Sequence, residues 1–187
     1  MRIISGNFKG KKILQPNDNK TRPLKDLTKE SIFNIISHSN KFHIRLYKSI
    51  VLDLFCGVGS FGLECLSRGA KKVYFVENYS GVLPILKNNL NNLTSVNNFE
   101  IIEKDIYKEN LKPCFQNKFN IIFLDPPYKD KNLSKLLGKI TNLNILEKDG
   151  IIILHRHKKQ NDDFSSVFKV IEEKTYGISK IIFGSLD

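Results

Sequence analysis

Long hydrophobic runs are missing from this chain of 187 residues. Its apolar stretches, such as residues 151–154, are far too short to cross a bilayer, and residues 1–12 lack the apolar segment of a signal peptide. A soluble cytoplasmic protein is the expectation. Cysteine is scarce too. Cys56, Cys65 and Cys114 are odd in number and show no CxxC spacing, which argues against a disulfide framework and against zinc. His155 and His157 share one strand face but bring no third ligand, so no metal site is expected, and a strand end or a nucleic-acid contact is the better reading of the pair. Internal repeats and low-complexity tracts are also absent.

Acidic residues are outnumbered: 30 Lys and Arg stand against 19 Asp and Glu, a net charge of +11. Such an excess fits a polyanionic partner, because Lys and Arg neutralise phosphates and release counterions. Of the 30, however, 25 are Lys, and Asn and Ile are abundant, a composition that an AT-rich genome produces without any binding role. Placement is more informative than the total. Lys9, Lys11, Lys12, Lys20, Arg22 and Lys25 crowd the first 25 residues with only Asp18 against them, and His155, Arg156, His157, Lys158 and Lys159 form a second cluster. Lys9, Lys11, Lys12, Arg156, Lys158 and Lys159 are the expected nucleic-acid contacts.

The length is that of one domain with a small appendage. Residues 2–5 and 11–14 read as short strands joined by a turn at 6–10, an N-terminal hairpin extension spanning residues 1–25. From 26 to 187 helical and strand periodicities alternate. Helices are expected over 26–37, 60–68 (stopped at Gly69), 80–93 (capped by Ser80, with Pro84 in the first turn) and 133–142. Strands are expected over 49–55, 72–76, 99–103, 119–124 and 150–155, and two more between 167 and 183 turn at Tyr176 and Gly177. Nearly continuous apolar strands alternating with helices imply an α/β fold, a parallel sheet covered on both faces.

Two segments carry chemistry. Between the first sheet strand and its helix, Gly57, Gly59 and Gly62 match the GxGxxG spacing, which lets backbone approach a ligand and aims a helix N-terminus at an anionic group. Glu77, twenty residues after Gly57, ends the next strand, where an acid can accept from ribose hydroxyls. This much also fits a nicotinamide site. Asp53 changes the balance: a carboxylate four residues before the first glycine opposes a pyrophosphate but suits a ligand bearing an amino group, as S-adenosylmethionine does. Asp105, after the third strand, can accept from an adenine amino group with Ile106 as a ring contact, and reads equally as a turn residue.

The second segment is Asp125-Pro126-Pro127-Tyr128, directly after the apolar run 119–124. Each proline fixes its own φ, lacks an N–H and restricts the residue before it. An sp² amine has two N–H bonds, which a carboxylate and a nearby carbonyl can both accept, while Tyr128 offers a face to the ring. In isolation the four residues read first as a rigid strand-end turn. Beside a glycine turn and a ribose acid at the same carboxyl edge of the sheet, they read as the acceptor half of a transfer site. Cys56 has no committed His partner, and nucleophilic catalysis by it is not expected.

Taken together, MRIISGNFKGKKIL, TRPLKDLTKESIFNII, VLDLFCGVGSFGLECLSRGA, FVEN and FNIIFLDPPY, in this order and spacing, resemble the RsmD family of bacterial 16S ribosomal RNA guanine-N2 methyltransferases. The similarity runs from Met1 to about Asp130 and is weaker beyond. The resemblance implies a Rossmann-like methyltransferase fold with a central, mostly parallel seven-stranded sheet and an N-terminal β-hairpin extension. It implies methylation of the guanine conventionally numbered 966 in 16S rRNA, on small-subunit particles during assembly; a monomer is the separate expectation. Cys56 and Val58 stand where the family commonly has smaller residues, Leu24 replaces a usual Thr, and residues 155–157 stand where acidic residues are common.

The expected mechanism is in-line transfer of the sulfonium methyl of S-adenosylmethionine to the exocyclic amine, releasing S-adenosylhomocysteine. Asp125, Pro126, Pro127 and Tyr128 are the expected catalytic corner. Arg22, Asp53, Phe55, Gly57, Gly59, Glu77, Asp105 and Ile106 are the expected cofactor contacts. The corner would equally grip adenine N6 in DNA, although a chain this short shows no separate target-recognition domain. A nicotinamide-dependent oxidoreductase, or a catalytically silent RNA-binding module of the same fold, is the reading from another class.

Overall fold

Successive residues of a strand point to opposite sides, so a strand buried on both faces feeds two cores. The central strands do this. Val51, Val73, Phe75, Ile121, Phe123, Ile151 and Ile153 pack on one side, and Leu52, Leu54, Tyr74, Val76, Ile122, Leu124, Ile152 and Leu154 on the other. The computed structural model describes residues 1–17, 24–164 and 168–186. Seven strands, β1 (Ile50–Leu54), β2 (Lys72–Val76), β3 (Phe99–Ile102), β4 (Phe119–Leu124), β5 (Leu146–His157), β6 (Phe168–Tyr176) and β7 (Ser179–Leu186), form one sheet. Their order is β3-β2-β1-β4-β5-β7-β6. The β1–β2, β1–β4, β2–β3 and β4–β5 pairs are parallel, and β7 runs antiparallel to both β5 and β6. The expected mostly parallel seven-stranded sheet is therefore found.

Helices α1 (Asp26–His38), α2 (Ser60–Ser67) and α3 (Leu83–Asn91) contribute Ile32, Phe33, Phe61, Leu63, Leu86 and Leu90 to the first core. Helix α4 (Leu133–Leu143) places Leu133, Leu136, Leu137 and Ile140 in the second. Helix α3 starts three residues later than its sequence indicates, and Ser80 does not cap it. A turn closed by the Val82 N–H to the Tyr79 carbonyl (3.1 Å) occupies that stretch, leaving Pro84 in the first helical turn, where its missing N–H removes no helical bond. Strand β5 starts four residues earlier than expected, because Leu146 pairs with Phe119 before a register shift brings Ile151 beside Ile121.

The N-terminal hairpin pairs through the Ile3 N–H to the Lys11 carbonyl (2.9 Å) and the Ile13 N–H to the Met1 carbonyl (3.0 Å). Its Ile3 and Ile13 are buried in the first core. Fully buried Glu64 on α2 accepts the N–H groups of Ile4 (2.7 Å) and Ser5 (2.9 Å), and Lys29 on α1 donates to the Arg2 carbonyl (2.7 Å). At Gly6, where φ is +81°, an added Cβ would lie 2.0 Å from the Ser67 carbonyl oxygen, so only glycine lets the hairpin approach α2. Asn89 on α3 accepts the Leu14 N–H (2.8 Å) and donates to the Val58 carbonyl (3.1 Å), tying the hairpin to the glycine turn.

Candidate active site

Register determines what meets at the carboxyl edge of the sheet. Leu54 lies beside both Val76 and Leu124, and Leu124 lies beside Leu154. Phe55, Glu77 and Asp125, which follow the ends of β1, β2 and β4, therefore emerge in a row where ligands of open α/β sheets bind, beside His155 of the longer β5. A cleft of about 350 Å³ opens there, lined by Asp53, Phe55, Gly57, Glu77, Tyr79 and the corner Asp125–Tyr128, among others. That is ample for a small organic ligand.

The turn after β1 is shaped by left-handed backbone at Phe55 (φ 58°), Gly57 (φ 55°) and Gly59 (φ 84°). Phe55 carries a side chain in a conformation L residues rarely adopt, a local cost that aims its ring toward Tyr107, 5.8 Å away between centroids. Gly57 lines the cleft and Gly59 does not. A Cβ on Gly59 would come within 2.6 Å of Leu86 and one on Gly62 within 2.2 Å of Phe75, so Gly59 serves the approach of the turn to α3 and Gly62 the packing of α2 on β2.

Two carboxylates shape the floor. Asp53 is 1% exposed. One of its oxygens accepts the Gly62 N–H at 2.9 Å, and the other, Oδ1, is buried with no hydrogen-bond partner among the described residues. Burial, and then the nearby charges of Asp125 and Glu77, push its carboxyl well above the ordinary range despite the Gly62 bond. A buried acceptor under such strain calls for a cationic donor. Glu77 accepts the N–H groups of Gly57 (2.8 Å), Asn78 (2.9 Å) and Tyr79 (2.9 Å), so the glycine-turn N–H that would cradle a phosphate already holds a carboxylate. Burial together with Asp53 and Glu77 pushes the Cys56 thiol up as well, which keeps it protonated and unreactive.

The corner Asp125–Tyr128 is held on three sides. The Asp125 N–H extends the β1–β4 ladder to the Leu54 carbonyl (3.3 Å), and Asp125 Oδ1 lies 2.9 Å from His155 Nδ1. The Tyr128 ring meets the imidazoles of His155 and His157 at centroid distances of 6.0 and 4.9 Å, both nearly perpendicular. Gln160 donates to the Tyr128 carbonyl at 2.6 Å.

Sequence-derived site residues are thus only partly brought together. Asp53, Phe55, Gly57, Glu77 and the four corner residues line one cleft. Asp105 and Ile106 do not line it. Asp105 accepts the N–H of Tyr107 at 2.8 Å within its own turn, and Ile106 is buried in the second core. Arg22 lies outside the described residues, as do Lys20 and Asp18.

Arg156 departs from its expected role. It is fully buried rather than an RNA contact, its guanidinium donating to both Asp162 oxygens (2.9 and 2.7 Å) and to the carbonyls of Pro127 (3.4 Å) and Asp130 (2.9 Å). Lys9, Lys12, Lys158 and Lys159 are exposed, whereas the Lys11 ammonium is half-covered and donates to the Asn92 carbonyl (2.5 Å). The cleft also includes Leu24, which stands where the family commonly has Thr, and Asn78, Tyr79 and Phe123, which carry no site signal in the sequence.

A family model described as conserved hypothetical protein 95 matches residues 1–185. The chain is 32% identical over 179 residues to the ribosomal RNA small subunit methyltransferase D of Haemophilus influenzae, covering 95% of this chain and 90% of that protein. A protein of the same name from Buchnera aphidicola subsp. Acyrthosiphon pisum is 33% identical over 159 residues, covering 85% and 79%. A crystal structure from Haemophilus influenzae superimposes with a TM-score of 0.74 at 30% identity, covering 100% of this chain and 98% of that one.

Proposed function

The chain belongs to the RsmD family of ribosomal RNA small subunit methyltransferases, and from that premise we propose that it moves a methyl group from S-adenosylmethionine to the exocyclic N2 of a guanine in 16S rRNA, the guanine conventionally numbered 966. The observation that carries the reading is the charge of the cleft. Asp53, Glu77 and Asp125 all line it, and among the described lining residues there is no Lys or Arg. A dinucleotide would bring a pyrophosphate against these carboxylates and find the Gly57 N–H occupied by Glu77. A ligand with an ammonium and a sulfonium relieves them instead.

S-adenosylmethionine, when bound, supplies a methyl group on a positively charged sulfur. Asp53 offers its buried Oδ1 to the ammonium, and Glu77 stands at the end of β2 for the ribose hydroxyls. On the acceptor side, Asp125 and the Pro126 carbonyl orient the amine and stabilise positive charge developing on nitrogen, and Tyr128 supports a base withdrawn from its stack. The exposed Lys158 and Lys159 follow β5, next to the Gln160 that holds Tyr128, and with Lys9 and Lys12 they supply phosphate contacts. Labelled methyl transfer to small-subunit particles, free 16S rRNA and DNA, followed by mapping of the modified base, tests the assignment. Labelling of guanine N2 in rRNA is expected, and labelling of adenine in DNA alone would sink it.

Proton linkage gives a separate check. The carboxyl of Asp53 has a raised pKa in the ligand-free protein, and an ammonium beside Oδ1 lowers it. Binding of S-adenosylmethionine should therefore release a proton at pH values between the ordinary carboxylate range and the raised value, and affinity should rise with pH across that window. The ligand-free protein should lose stability over the same rise. Calorimetric titrations in buffers of different ionisation enthalpy read the proton directly, and proton uptake on binding would contradict the role of Asp53.

A further inference from the structure

We propose that His155, fixed by Ser179, is a positioning residue for the methyl acceptor: its imidazole holds the Asp125 carboxylate in the orientation that receives the amine. The proposal rests on the role given to Asp125 above and extends it into β5 and β7.

The contact follows from the fold. Leu124 and Leu154 are partners in the β4–β5 register, so Asp125, leaving the end of β4, lies beside His155, which is still paired with Ile181 in the sheet. His155 is 2% exposed. Its Nδ1 lies 2.9 Å from Asp125 Oδ1, and its Nε2 lies 2.9 Å from Ser179 Oγ. An ionised carboxylate only accepts hydrogen bonds, and an unprotonated ring nitrogen also only accepts. Two acceptors facing each other at 2.9 Å would repel. Nδ1 therefore carries the proton it donates to Asp125, and in the neutral ring the Ser179 hydroxyl donates to Nε2.

Ser179 is itself pinned, since β7 pairs it with His157 on one side and Tyr176 on the other. Rotation about the last bond of an Asp side chain is soft, and a fixed donor to one oxygen removes that freedom. His157, two residues along the same strand face, completes the bracket. Its Nδ1 accepts the Lys159 N–H at 3.1 Å while its ring abuts Tyr128. The two histidines thus hold the polar and the aromatic ends of the corner.

Ring nitrogen NMR on the histidine-labelled protein, combined with transfer kinetics, tests the proposal. The Nδ1–H form of His155 is expected, with its hydrogen-bonded proton signal lost in Asp125→Ala. His155→Leu should lower kcat roughly 10 to 100-fold while cofactor Kd stays unchanged, the range in which misorientation at a reacting centre acts. His155→Asn, whose amide N–H can reach the same oxygen, should regain most of the rate. Ser179→Ala removes only a hydroxyl and should lower kcat several-fold and mix the two tautomers, which covers the case of a His155→Leu protein that does not fold.

An Nε2–H tautomer in the wild type, or a folded His155→Leu protein with wild-type kcat, overturns the proposal. Equal losses in the Leu and Asn variants do so too, by showing a merely structural role. Wild-type protein that methylates no RNA overturns the reading of the site instead, and the tautomer still decides whether His155 orients Asp125.

Discussion

Asp125→Ala is expected to abolish methyl transfer, with single-turnover rates falling by about 10³-fold or more while S-adenosylmethionine affinity stays close to wild type. The lone pair of an exocyclic amine is delocalised into the base, so the nitrogen attacks only as its N–H bonds are drawn into hydrogen bonds and it turns tetrahedral. Removing a preorganised group aimed at developing charge raises the barrier by near 4 kcal/mol, about 1.36 kcal/mol for each factor of ten. The cofactor side is nearly untouched, since Asp53, Gly57 and Glu77 hold their places through bonds to Gly62, Asn78 and Tyr79 that do not involve Asp125. One coupled effect is expected. The charge of Asp125 is among the causes that raise the Asp53 carboxyl, so proton release on cofactor binding should shrink in the variant. Transfer of tritiated methyl in a single turnover and calorimetric binding separate the two halves of the site, and unchanged transfer would sink the role given to the corner.

How much of this was legible in the chain depends on the range of the interactions. The strands and helices follow from period and punctuation, and the glycine turn and the corner announce themselves through residues whose backbone behaviour is unusual. The starts of helix α3 and strand β5 differ from what their sequence indicates because a Tyr79–Val82 turn and a register shift at Phe119 are tertiary choices among permitted local ones. Asp105 had two readings from sequence, and its own turn takes it. The His155 contact with Asp125 needs the β4–β5 register, which no local pattern encodes, and Ser179, which touches His155, and Gln160, which touches the corner itself, come from segments carrying no motif. The burial of Arg156 is hidden from the sequence for a related reason. A basic run predicts a basic surface only if every member faces out, and β5 is covered on both faces here, so the adjacent His155 and Arg156 are both buried.

That buried arginine yields the largest expected effect on stability. Arg156→Leu leaves Asp162, whose side chain is 9% exposed, as a carboxylate without its partner, and takes the guanidinium from the Asp130 carbonyl, while the Pro127 carbonyl keeps the Asp130 N–H at 2.8 Å. Breaking one side of a buried pair costs roughly 3–5 kcal/mol, because the stranded charge keeps its desolvation penalty and loses the attraction. In a protein of this length that corresponds to a Tm lower by about 10 °C. Arg156→Lys should recover little, since an ammonium cannot reproduce the two-oxygen grip on Asp162 and the carbonyl contacts together. The paired change Arg156→Leu with Asp162→Leu should recover more, because it removes the stranded charge. The consequence for function is local. Asp130 accepts the Tyr107 hydroxyl at 2.5 Å, so Arg156 links the loop after β3 to the loop that follows the corner, and its loss should raise the KM for RNA even well below the melting temperature. By contrast, Lys158→Ala with Lys159→Ala should leave Tm within a degree or so and weaken RNA binding with a shallower salt dependence. Urea titrations and RNA-binding curves on the two sets of variants distinguish a buried clamp from a surface contact, and wild-type stability in Arg156→Leu would return that residue to the RNA surface.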